Sequence, residues 1–353
     1  MLLIGDPAQL PPVRADALWI DNTTCKNEER RNGSLLYKSF TECLFLKENN
    51  RLDEKDPQSV EFVRILNNIR DGKITEEDGE IIRKTCSRFG MGEEKFEKAG
   101  FKEDGVMHLF STNDQADKLN NLELLKLQEG TKNRKIARIS AENSAGARSF
   151  PPMFARRLAN ELFLCVDAKV MLFHNLKQDS NLVNGSVGYV KEIVYEEGQG
   201  PPSLPSYVIV DFGEFYTGPN FFHEQEPEKK GWVPVKPTTM EWWGSDKKAK
   251  NTFTRTQLPL RLAWAITIHK SQGITINGKY CVDLGDKELN HGMTYVAFSR
   301  ATKFSNIGLI APLTGSRLNA INNNKGNKVR IEHEQDLESL SRETKNTYEQ
   351  LIN

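Results

Sequence analysis

Residues 258–275 of the chain read Leu-Pro-Leu-Arg-Leu-Ala-Trp-Ala-Ile-Thr-Ile-His-Lys-Ser-Gln-Gly-Ile-Thr. An apolar run passes within a few residues into hydroxyl, imidazole and ammonium side chains. These groups all donate hydrogen bonds to phosphate oxygens, so the segment is suited to contacts with a nucleic-acid backbone. We predict a helix over 263–272. The alternative interpretation is a helix end whose polar side chains face water, and His269 by itself does not separate the two.

A second segment, 292–302, reads Gly-Met-Thr-Tyr-Val-Ala-Phe-Ser-Arg-Ala-Thr. We predict a buried helix over 293–302 with Arg300 at its solvent end. An arginine in that position reaches a γ-phosphate as an arginine finger, a group that contributes about 10³–10⁵ to the rate of phosphoryl transfer. The alternative is an arginine that only complements the helix dipole at the C-terminal end.

A third segment, 5–13, reads Gly-Asp-Pro-Ala-Gln-Leu-Pro-Pro-Val and follows four apolar residues that predict a buried strand over 1–4. Ligands of open α/β sheets lie at the carboxyl ends of strands, which makes Asp6 and Gln9 candidate site residues. A neutral amide senses phosphate or orients water without adding negative charge. The alternative is a proline-rich surface turn.

Strands that alternate with helices predict a parallel α/β sheet. We predict strands over 106–110, 280–284 and 307–311, and a helix that begins at Thr112 or Asn113.

Shorter helices are predicted in the first hundred residues. One covers 34–40, a second has Ser59 as its N-cap and Gly72 as its stop, and a third begins at Thr75.

The pattern changes after 129–152, a polar stretch that predicts a loop. From Val166 to Leu172 alternate residues are apolar, Asn184-Gly185 predicts a hairpin, and further short apolar runs follow at 189–195, 207–212 and 232–236. We predict a small β-barrel over 166–257 that is inserted into the α/β domain.

The three segments, in this order, resemble motifs of the PIF/RecD-type branch of superfamily-1 DNA helicases. Residues 5–13 resemble motif III, 265–273 motif V and 295–301 motif VI. Two weaker likenesses lie between them: 46–52 resembles motif IV, and 182–188 resembles the opening hairpin of the inserted barrel.

The resemblance implies the fold class: α/β, a RecA-like P-loop NTPase second motor domain with an inserted small β-barrel, plus the C-terminal remnant of the first RecA-like domain. The predicted parts are the remnant (1–45), the two pieces of the second motor domain (46–165 and 258–315), the barrel (166–257) and a polar tail with one loose helix (316–353).

The resemblance also implies roles for individual residues. ATP and Mg²⁺ would bind between two motor domains, with Gln9 and Arg300 catalytic. The implied nucleotide-binding residues are Gly5, Asp6, Gln9, Arg51, Gln272, Gly273 and Arg300. The implied DNA-binding residues are Thr267, His269, Lys270 and Asn184. The implied partners are single-stranded DNA and DNA forks, on which a monomer steps 5′-to-3′.

One element of such a motor is missing from the sequence. A P-loop needs Gly-x-x-x-x-Gly-Lys-Ser/Thr, and neither Gly-Lys-Ser nor Gly-Lys-Thr occurs. The acidic pair that holds Mg²⁺ would precede motif III. We therefore expect that the chain is a fragment of a longer protein or a truncated gene model, and that it does not hydrolyse ATP by itself. The alternative is an ATP-dead paralogue or mobile-element relic that only binds nucleic acid.

A protein-interaction module is a further alternative. Such a module would bind its partner through proline-rich loops and an aromatic cluster, or the cluster would stack bases. The cluster consists of Trp232, Trp242 and Trp243, near Lys247, Lys248 and Lys250. The other interpretation is that these tryptophans belong to the core of the insertion.

Charge, cysteine spacing and the length of apolar runs exclude several classes of protein. Lysine plus arginine and aspartate plus glutamate both number 48, which argues against a protein that coats nucleic acid by bulk charge. The five cysteines form no Cys-x-x-Cys pair, so a reducing compartment is expected. No apolar run reaches the roughly 20 residues of a membrane span, and the N-terminus does not resemble a signal peptide. These features predict an intracellular protein with no membrane partner, located in the nucleus or mitochondrion of a eukaryote or in bacterial or viral cytoplasm.

Overall fold

A computed structural model describes residues 2–12, 15–46, 51–52, 56–130, 134–222, 226–244, 252–285 and 287–352. Its backbone contacts divide the chain into two units: unit 1 comprises 1–113 and 266–353, and unit 2 comprises 114–265. The helices are α1 (Glu28–Lys38), α2 (Pro57–Arg70), α3 (Glu76–Cys86), α4 (Arg88–Met91), α5 (Glu93–Lys98), α6 (Asn113–Gly130), α7 (Met293–Phe298), α8 (Gly315–Asn322) and α9 (Lys325–Ile352). The strands are β1 (Met107–Phe110), β2 (Ala137–Ser140), β3 (Glu142–Asn143), β4 (Glu161–Leu164), β5 (Lys169–Leu172), β6 (Val187–Val194), β7 (Tyr207–Asp211), β8 (Trp232–Val235), β9 (Thr238–Trp243), β10 (Thr252–Gln257), β11 (Leu260–Leu262), β12 (Ala265–Thr267), β13 (Tyr280–Asp283) and β14 (Ile307–Leu309).

Unit 1 is built on a four-stranded sheet in the order β12-β1-β13-β14. β13 pairs in parallel with both β1 and β14. These strands are short and almost wholly buried, as is typical of a parallel sheet covered on both faces. The predicted strands at 106–110, 280–284 and 307–311 and the predicted α/β class are confirmed.

Local sequence explains where the first helices begin. Thr75 and Asp78 form a reciprocal capping box at α3, as the sequence predicts. The predicted N-cap of α2 is wrong, because Asp56 caps that helix and Pro57 occupies its first turn. Ser59 instead lies inside the helix, where its hydroxyl donates to the Asp56 carboxylate.

Two local predictions in unit 1 are wrong. Residues 2–4 form no strand, and Leu2 and Ile4 are 79% and 84% exposed, because no described strand pairs with them. The predicted helix at 263–272 is instead β12 followed by a 3₁₀ turn over Ile268–Ser271. Consecutive β-branched residues favour extended backbone there. In addition, α7 ends at Phe298 rather than at residue 302.

Unit 2 is largely antiparallel. Its five-stranded sheet has the order β11-β5-β6-β7-β8, and a three-stranded sheet has the order β3-β10-β9. Branched aliphatic side chains such as Val170, Val190 and Val208 fill a core on one face of the larger sheet. Strands are present at the predicted positions (β5, β6, β7 and β8), whereas the inserted barrel over 166–257 stays a prediction. The loop predicted over 129–152 is wrong, because it contains β2 and β3.

The predicted hairpin at Asn184-Gly185 is a turn of another kind. The Ser186 amide donates to the Val183 carbonyl at 3.0 Å, so the two residues form the centre of a β-turn directly before β6. Gly185 adopts φ +99°, which favours glycine. The turn ends a long connection over 173–186 rather than joining β5 and β6 in two residues.

The polar C-terminal segment belongs to unit 1 and is mostly helical. On α9, the buried Arg330 donates to the Arg70 carbonyl, and the Thr344 hydroxyl accepts from the Cys43 amide at 3.1 Å. The segment is helical as predicted, but the helix is not loose, because it packs against other parts of unit 1. None of the helices within the described ranges is long and apolar enough to cross a membrane.

Candidate functional site

The loop that resembles motif III is held together by Asp6. The Asp6 carboxylate accepts from the Ala8 amide at 3.0 Å and from the Gln9 side-chain amide at 3.3 Å. The Gln9 backbone amide donates to the Asp6 carbonyl at 3.1 Å, which closes a tight turn. Asp6 and Gln9, predicted as site residues, are thus in direct contact. Val13, at the end of the quoted motif, lies outside the described residues.

This loop lies against the start of α7. The Tyr295 hydroxyl donates to the Asp6 carboxylate at 3.4 Å, and a terminal nitrogen of Arg70 lies 3.8 Å from the same carboxylate. A Cβ at Gly292 would lie 2.3 Å from the Ala8 carbonyl oxygen, so only glycine permits the close approach. Burial first, and then the Asp6 charge, raise the pKa of Tyr295 to about 12.

Arg300 lies just past the C-terminal end of α7 and is buried, with 2% of its surface exposed. Its guanidinium donates to the carbonyls of Val296 at 2.9 Å, Ile274 at 3.0 Å and Ser271 at 3.3 Å. The expectation that this arginine stands at a solvent end is therefore wrong, because backbone carbonyls enclose it. Burial, followed by the charge of Arg51, lowers the pKa of Arg300 to about 10.

A second guanidinium lies at the same helix end. Arg51 donates to the Ser299 carbonyl and, through Nε, to the Thr275 hydroxyl at 3.2 Å. Two residues predicted to approach the nucleotide, Arg51 and Arg300, are therefore brought together. The preceding residues of the motif IV-like segment, 47–50, lie outside the described residues.

The residues of the segment that resembles motif V differ in burial and in hydrogen bonding. The Thr267 hydroxyl is buried and caps the 3₁₀ turn by accepting from the Lys270 amide at 3.3 Å. His269 is half-buried, burial lowers its pKa, and its Nε2 lies 3.5 Å from the Asn290 amide nitrogen. Lys270 is partly exposed, Ser271 is buried, and Gln272 and Gly273 are exposed. The predicted DNA-binding residue Asn184 belongs to unit 2.

Comparison with known proteins was made over the whole chain, and no protein-family model matches it. The ATP-dependent DNA helicase PIF1 of Danio rerio is 28% identical over 307 residues, 85% of this chain and 39% of that protein. The ATP-dependent DNA helicase Pif1 of Campylobacter jejuni is 29% identical over 311 residues, 86% of this chain and 60% of that protein. The chain is a relative of the Pif1-type helicases.

A solved structure agrees in fold with the Pif1-type assignment. The crystal structure of Pif1 helicase from Candida albicans matches with a TM-score of 0.59 and 23% identity, covering 94% of this chain and 67% of that one. The likeness supports a RecA-like fold for this chain. The chain spans about two fifths and three fifths of the lengths of the two Pif1 sequence relatives.

The donors gathered here are chemically suited to one end of a nucleotide. Two guanidiniums, Arg51 and Arg300, and the Gln9 amide are donors that suit a terminal phosphate. They do not form a phosphate cradle, since the P-loop pattern is absent from the sequence. Within the described residues no group of three acidic, histidine or cysteine side chains is arranged to hold a metal ion.

Sequence reasoning missed a buried network that holds the start of α7. Arg317 on α8 donates to the Glu288 carboxylate at 2.7 Å, and both side chains are almost fully buried. The same carboxylate accepts from the Thr294 hydroxyl at 2.6 Å and from the Thr294 amide at 3.0 Å. Glu288 therefore takes the place of a side-chain cap, since Gly292 supplies none. No local sequence signal points to Arg317, which lies in a segment that reads as a solvated tail.

The tryptophans considered for partner binding have different environments. Trp242 is buried in an aromatic core with Phe150 and Phe253, as the core interpretation predicts. Trp232 packs against lysine ammonium groups, and Trp243 is exposed. The neighbouring lysines Lys247, Lys248 and Lys250 lie outside the described residues.

Proposed function

We propose that the chain carries the second motor domain of an ATP-dependent DNA helicase, together with the motif III-like loop of the first. In this proposal 46–165 and 258–315 form the motor domain, 166–257 is its insertion, and the protein acts as a monomer. The complete protein couples ATP hydrolysis to 5′-to-3′ movement on single-stranded DNA and to unwinding of forks. The similarity to Pif1-type helicases over most of the chain supports this proposal.

The observation that carries the proposal is the meeting of two motifs on one helix. The Asp6–Gln9 loop contacts Tyr295 near the start of α7, and Arg51 and Arg300 lie at its end. A change at the loop is therefore passed along less than two turns of rigid helix to the guanidiniums. This is the arrangement needed to link phosphate sensing to charge stabilisation.

The chemistry assigned to these residues is electrostatic. ATP, when bound, supplies the phosphoryl group that is transferred. Arg300 and Arg51 stabilise negative charge that develops on phosphate oxygens, because guanidinium groups remain protonated and donate in a planar fork. Gln9 orients toward the γ-phosphate as a neutral amide, and Asp6 fixes its side chain. To reach a phosphate, Arg300 has to exchange at least one carbonyl partner.

We assign the DNA contacts to Thr267, His269 and Lys270, with Asn184 contributing from unit 2. Lys270 is the charged member of this set, while the Thr267 hydroxyl is already engaged as a helix cap. Contacts of this kind bind the backbone irrespective of base sequence. The expected ligand is therefore any single strand of sufficient length.

Two measurements on the purified chain test this proposal. The first is the slope of the logarithm of the oligothymidylate binding constant against the logarithm of the salt concentration. Lys270→Ala should make this slope shallower by about one unit, as expected for one lost phosphate contact. The surface variant Lys84→Ala, which only breaks a helical pair with Glu80, should leave the slope unchanged. Equal slopes for Lys270→Ala and the wild-type chain contradict the assignment.

The second measurement is ATP turnover. We expect none above background from this chain by itself, because no P-loop lysine is present. The chain would then act only in binding, or as part of a complete motor. If the chain showed DNA-stimulated turnover and Arg300→Ala abolished it, the nucleotide site would be complete without a P-loop. The proposal that ATP hydrolysis needs a P-loop segment in addition to this chain would then be wrong.

A further inference from the structure

One face of the five-stranded sheet in unit 2 carries two basic side chains, the partly exposed Arg261 and the buried Lys169. Arg261 on β11 lies directly opposite Met171 on β5, and Lys169 lies two residues from Met171. Side chains alternate along a strand, so all three project from the same face, opposite the core that contains Val170. Diagonal neighbours of this kind are about 7–8 Å apart. Arg261 and Lys169 are therefore close together.

Arg157, in the loop before this sheet, acts electrostatically on Arg261. Arg157 is exposed, and its backbone is fixed by a hydrogen bond from its amide to the Pro152 carbonyl at 2.7 Å. Burial, and after it the charge of Arg157, lowers the pKa of Arg261 to about 10. Burial lowers the pKa of Lys169 to about 8. Among the described residues, no carboxylate opposes this lowering at Arg261.

The hydrogen bonding of Arg261 is incomplete. A terminal nitrogen donates to the Met171 thioether at 3.3 Å, a weak acceptor, while the buried Nε has no hydrogen-bond partner in the described structure. Arg255 in the same unit shows the contrast. Its guanidinium donates to the Asn143 side chain and to the carbonyls of Leu158, Ala147 and Phe150. Arg261 thus has donor capacity that the described residues do not use.

We propose that Arg261 and Arg157 form a phosphate-binding site on unit 2. A guanidinium fork matches the oxygens of a phosphate group and forms charge-assisted hydrogen bonds with them. The site belongs to unit 2, whereas the motif V-like residues Thr267, His269 and Lys270 belong to unit 1, and its assignment to a nucleic-acid ligand rests on the proposed DNA-binding function.

The ligand that this surface fits is a single nucleic-acid strand. Tyr189 on β6 lies opposite Lys169 and is 40% exposed. Neighbouring strands are about 4.8 Å apart and residues rise about 3.3 Å along a strand, so Tyr189, two strands and two residues away, lies roughly 12 Å from Arg261. An exposed aromatic ring at that distance from a phosphate site suits the stacking of a base while the guanidinium binds the backbone.

The test uses the full chain with two probes, a fluorescent oligothymidylate and inorganic pyrophosphate. Arg261→Met and Arg157→Met should each weaken oligothymidylate binding several-fold and reduce its salt slope by about one unit. The matched control is Arg148→Met, which removes an exposed arginine of the same unit that is already paired with Glu161 at 3.2 Å. This control should leave the slope unchanged.

Pyrophosphate separates the possible sources of the phosphate. It should raise the melting temperature of the wild-type chain more than that of either variant. Protection by pyrophosphate with an unchanged oligothymidylate slope would assign the site to a free phosphate compound and overturn its assignment to nucleic acid. No difference between the variants and the control in either measurement would overturn the site.

Two further outcomes are also decisive. If Arg261→Met does not fold, the exposed Arg157→Met variant provides the test. A wild-type chain that binds no oligothymidylate contradicts the proposed DNA-binding function, whereas the pyrophosphate measurement still decides whether the phosphate site exists.

Discussion

The hydroxyl of Tyr295 donates to the carboxylate of Asp6 at 3.4 Å, although the two residues are 289 positions apart in the sequence. The contact joins the motif III-like loop to the motif VI-like helix within unit 1. It is reinforced by the backbone approach that Gly292 permits. Two segments that the sequence could relate only by their order are therefore physically connected.

Tyr295→Phe tests this connection, since it removes the hydroxyl and keeps the ring. We expect the free energy of unfolding to fall by about 1 kcal/mol, because the variant leaves a charged acceptor with one donor fewer. Hydrogen exchange at the Ala8 and Gln9 amides should become faster. The measurements are urea unfolding and exchange mass spectrometry.

The matched control is Tyr348→Phe, which removes a tyrosine hydroxyl from the surface carboxylate of Glu42 at 3.2 Å. An exposed change of this type should cost less than about 0.5 kcal/mol. Equal effects of the two variants, with unchanged exchange in the loop, would show that the Tyr295 contact does not hold the loop.

Glu288→Ala should be among the most destabilising single substitutions in unit 1. It removes the carboxylate that pairs with the buried Arg317 guanidinium and the acceptor that caps α7 at Thr294. Breaking a buried pair in this way costs about 3–5 kcal/mol. Glu288→Gln, which keeps an acceptor at the same place, should lose less. Glu80→Ala, from an exposed helical pair with Lys84, should lose less than about 0.5 kcal/mol. A loss at Glu288→Ala as small as that at Glu80→Ala would contradict the capping role.

Local signals explain which parts of this unit the sequence could predict. The capping box at Thr75 and the buried strands beside Tyr280 are encoded by neighbouring residues, so pattern reasoning finds them. The error at 263–272 has a physical cause, because a short apolar run fits a buried strand and a buried helix equally well.

Long-range burial explains what the sequence could not show. Arg317 and Arg330 lie in a charged segment that reads as solvated, yet each is buried against groups from distant parts of the chain. Motif order located Arg300, but only the fold shows the three carbonyls that enclose it. A motif therefore identifies a site residue but does not show how deeply its side chain is buried or which groups it contacts.

Mild acid should weaken unit 1 through a histidine. His333 stacks on Trp19 at 5.5 Å and shares a 2.9 Å hydrogen bond with the Tyr37 hydroxyl. Burial lowers its pKa below the ordinary 6.5, an effect that the charge of Asp336 partly opposes. The unfolded chain therefore takes up a proton before the folded one does. The stabilisation from neutral His333 is complete above about pH 6.5 and is lost as the pH falls below it.

The measurement is urea unfolding at about pH 7.5 and about pH 5.5. His333→Gln should show a smaller loss of stability between these two conditions than the wild-type chain. His291, whose pKa is also lowered by burial and then by Arg330, contributes in the same direction and remains in the variant. The surface variant Tyr348→Phe is the control and should keep the full wild-type loss. A pH dependence in His333→Gln identical to wild type would exclude His333 as its source.

The last prediction concerns a hybrid in which a segment carrying a P-loop and an acidic pair is joined before residue 1. The hybrid should become a DNA-dependent ATPase. Arg300→Ala should lower its turnover by about two orders of magnitude or more, because the guanidinium stabilises the transferring phosphoryl group. ATP binding should fall much less, since the P-loop supplies most ground-state contacts. Gln9→Ala should lower DNA stimulation and strand separation more than basal turnover.

Because Arg300 is buried, this experiment needs a control for loss of stability. Removing its side chain also leaves carbonyls without donors, so turnover has to be expressed per folded molecule. Arg300→Lys and Arg255→Lys form a matched pair, because both arginines are buried and donate to backbone carbonyls, but Arg255 belongs to unit 2. Both variants should lose stability to a similar degree, while only Arg300→Lys should lose stimulated turnover. If turnover per folded molecule survives in Arg300→Lys and Arg300→Ala alike, Arg300 supports the fold of α7 and takes no part in phosphoryl transfer.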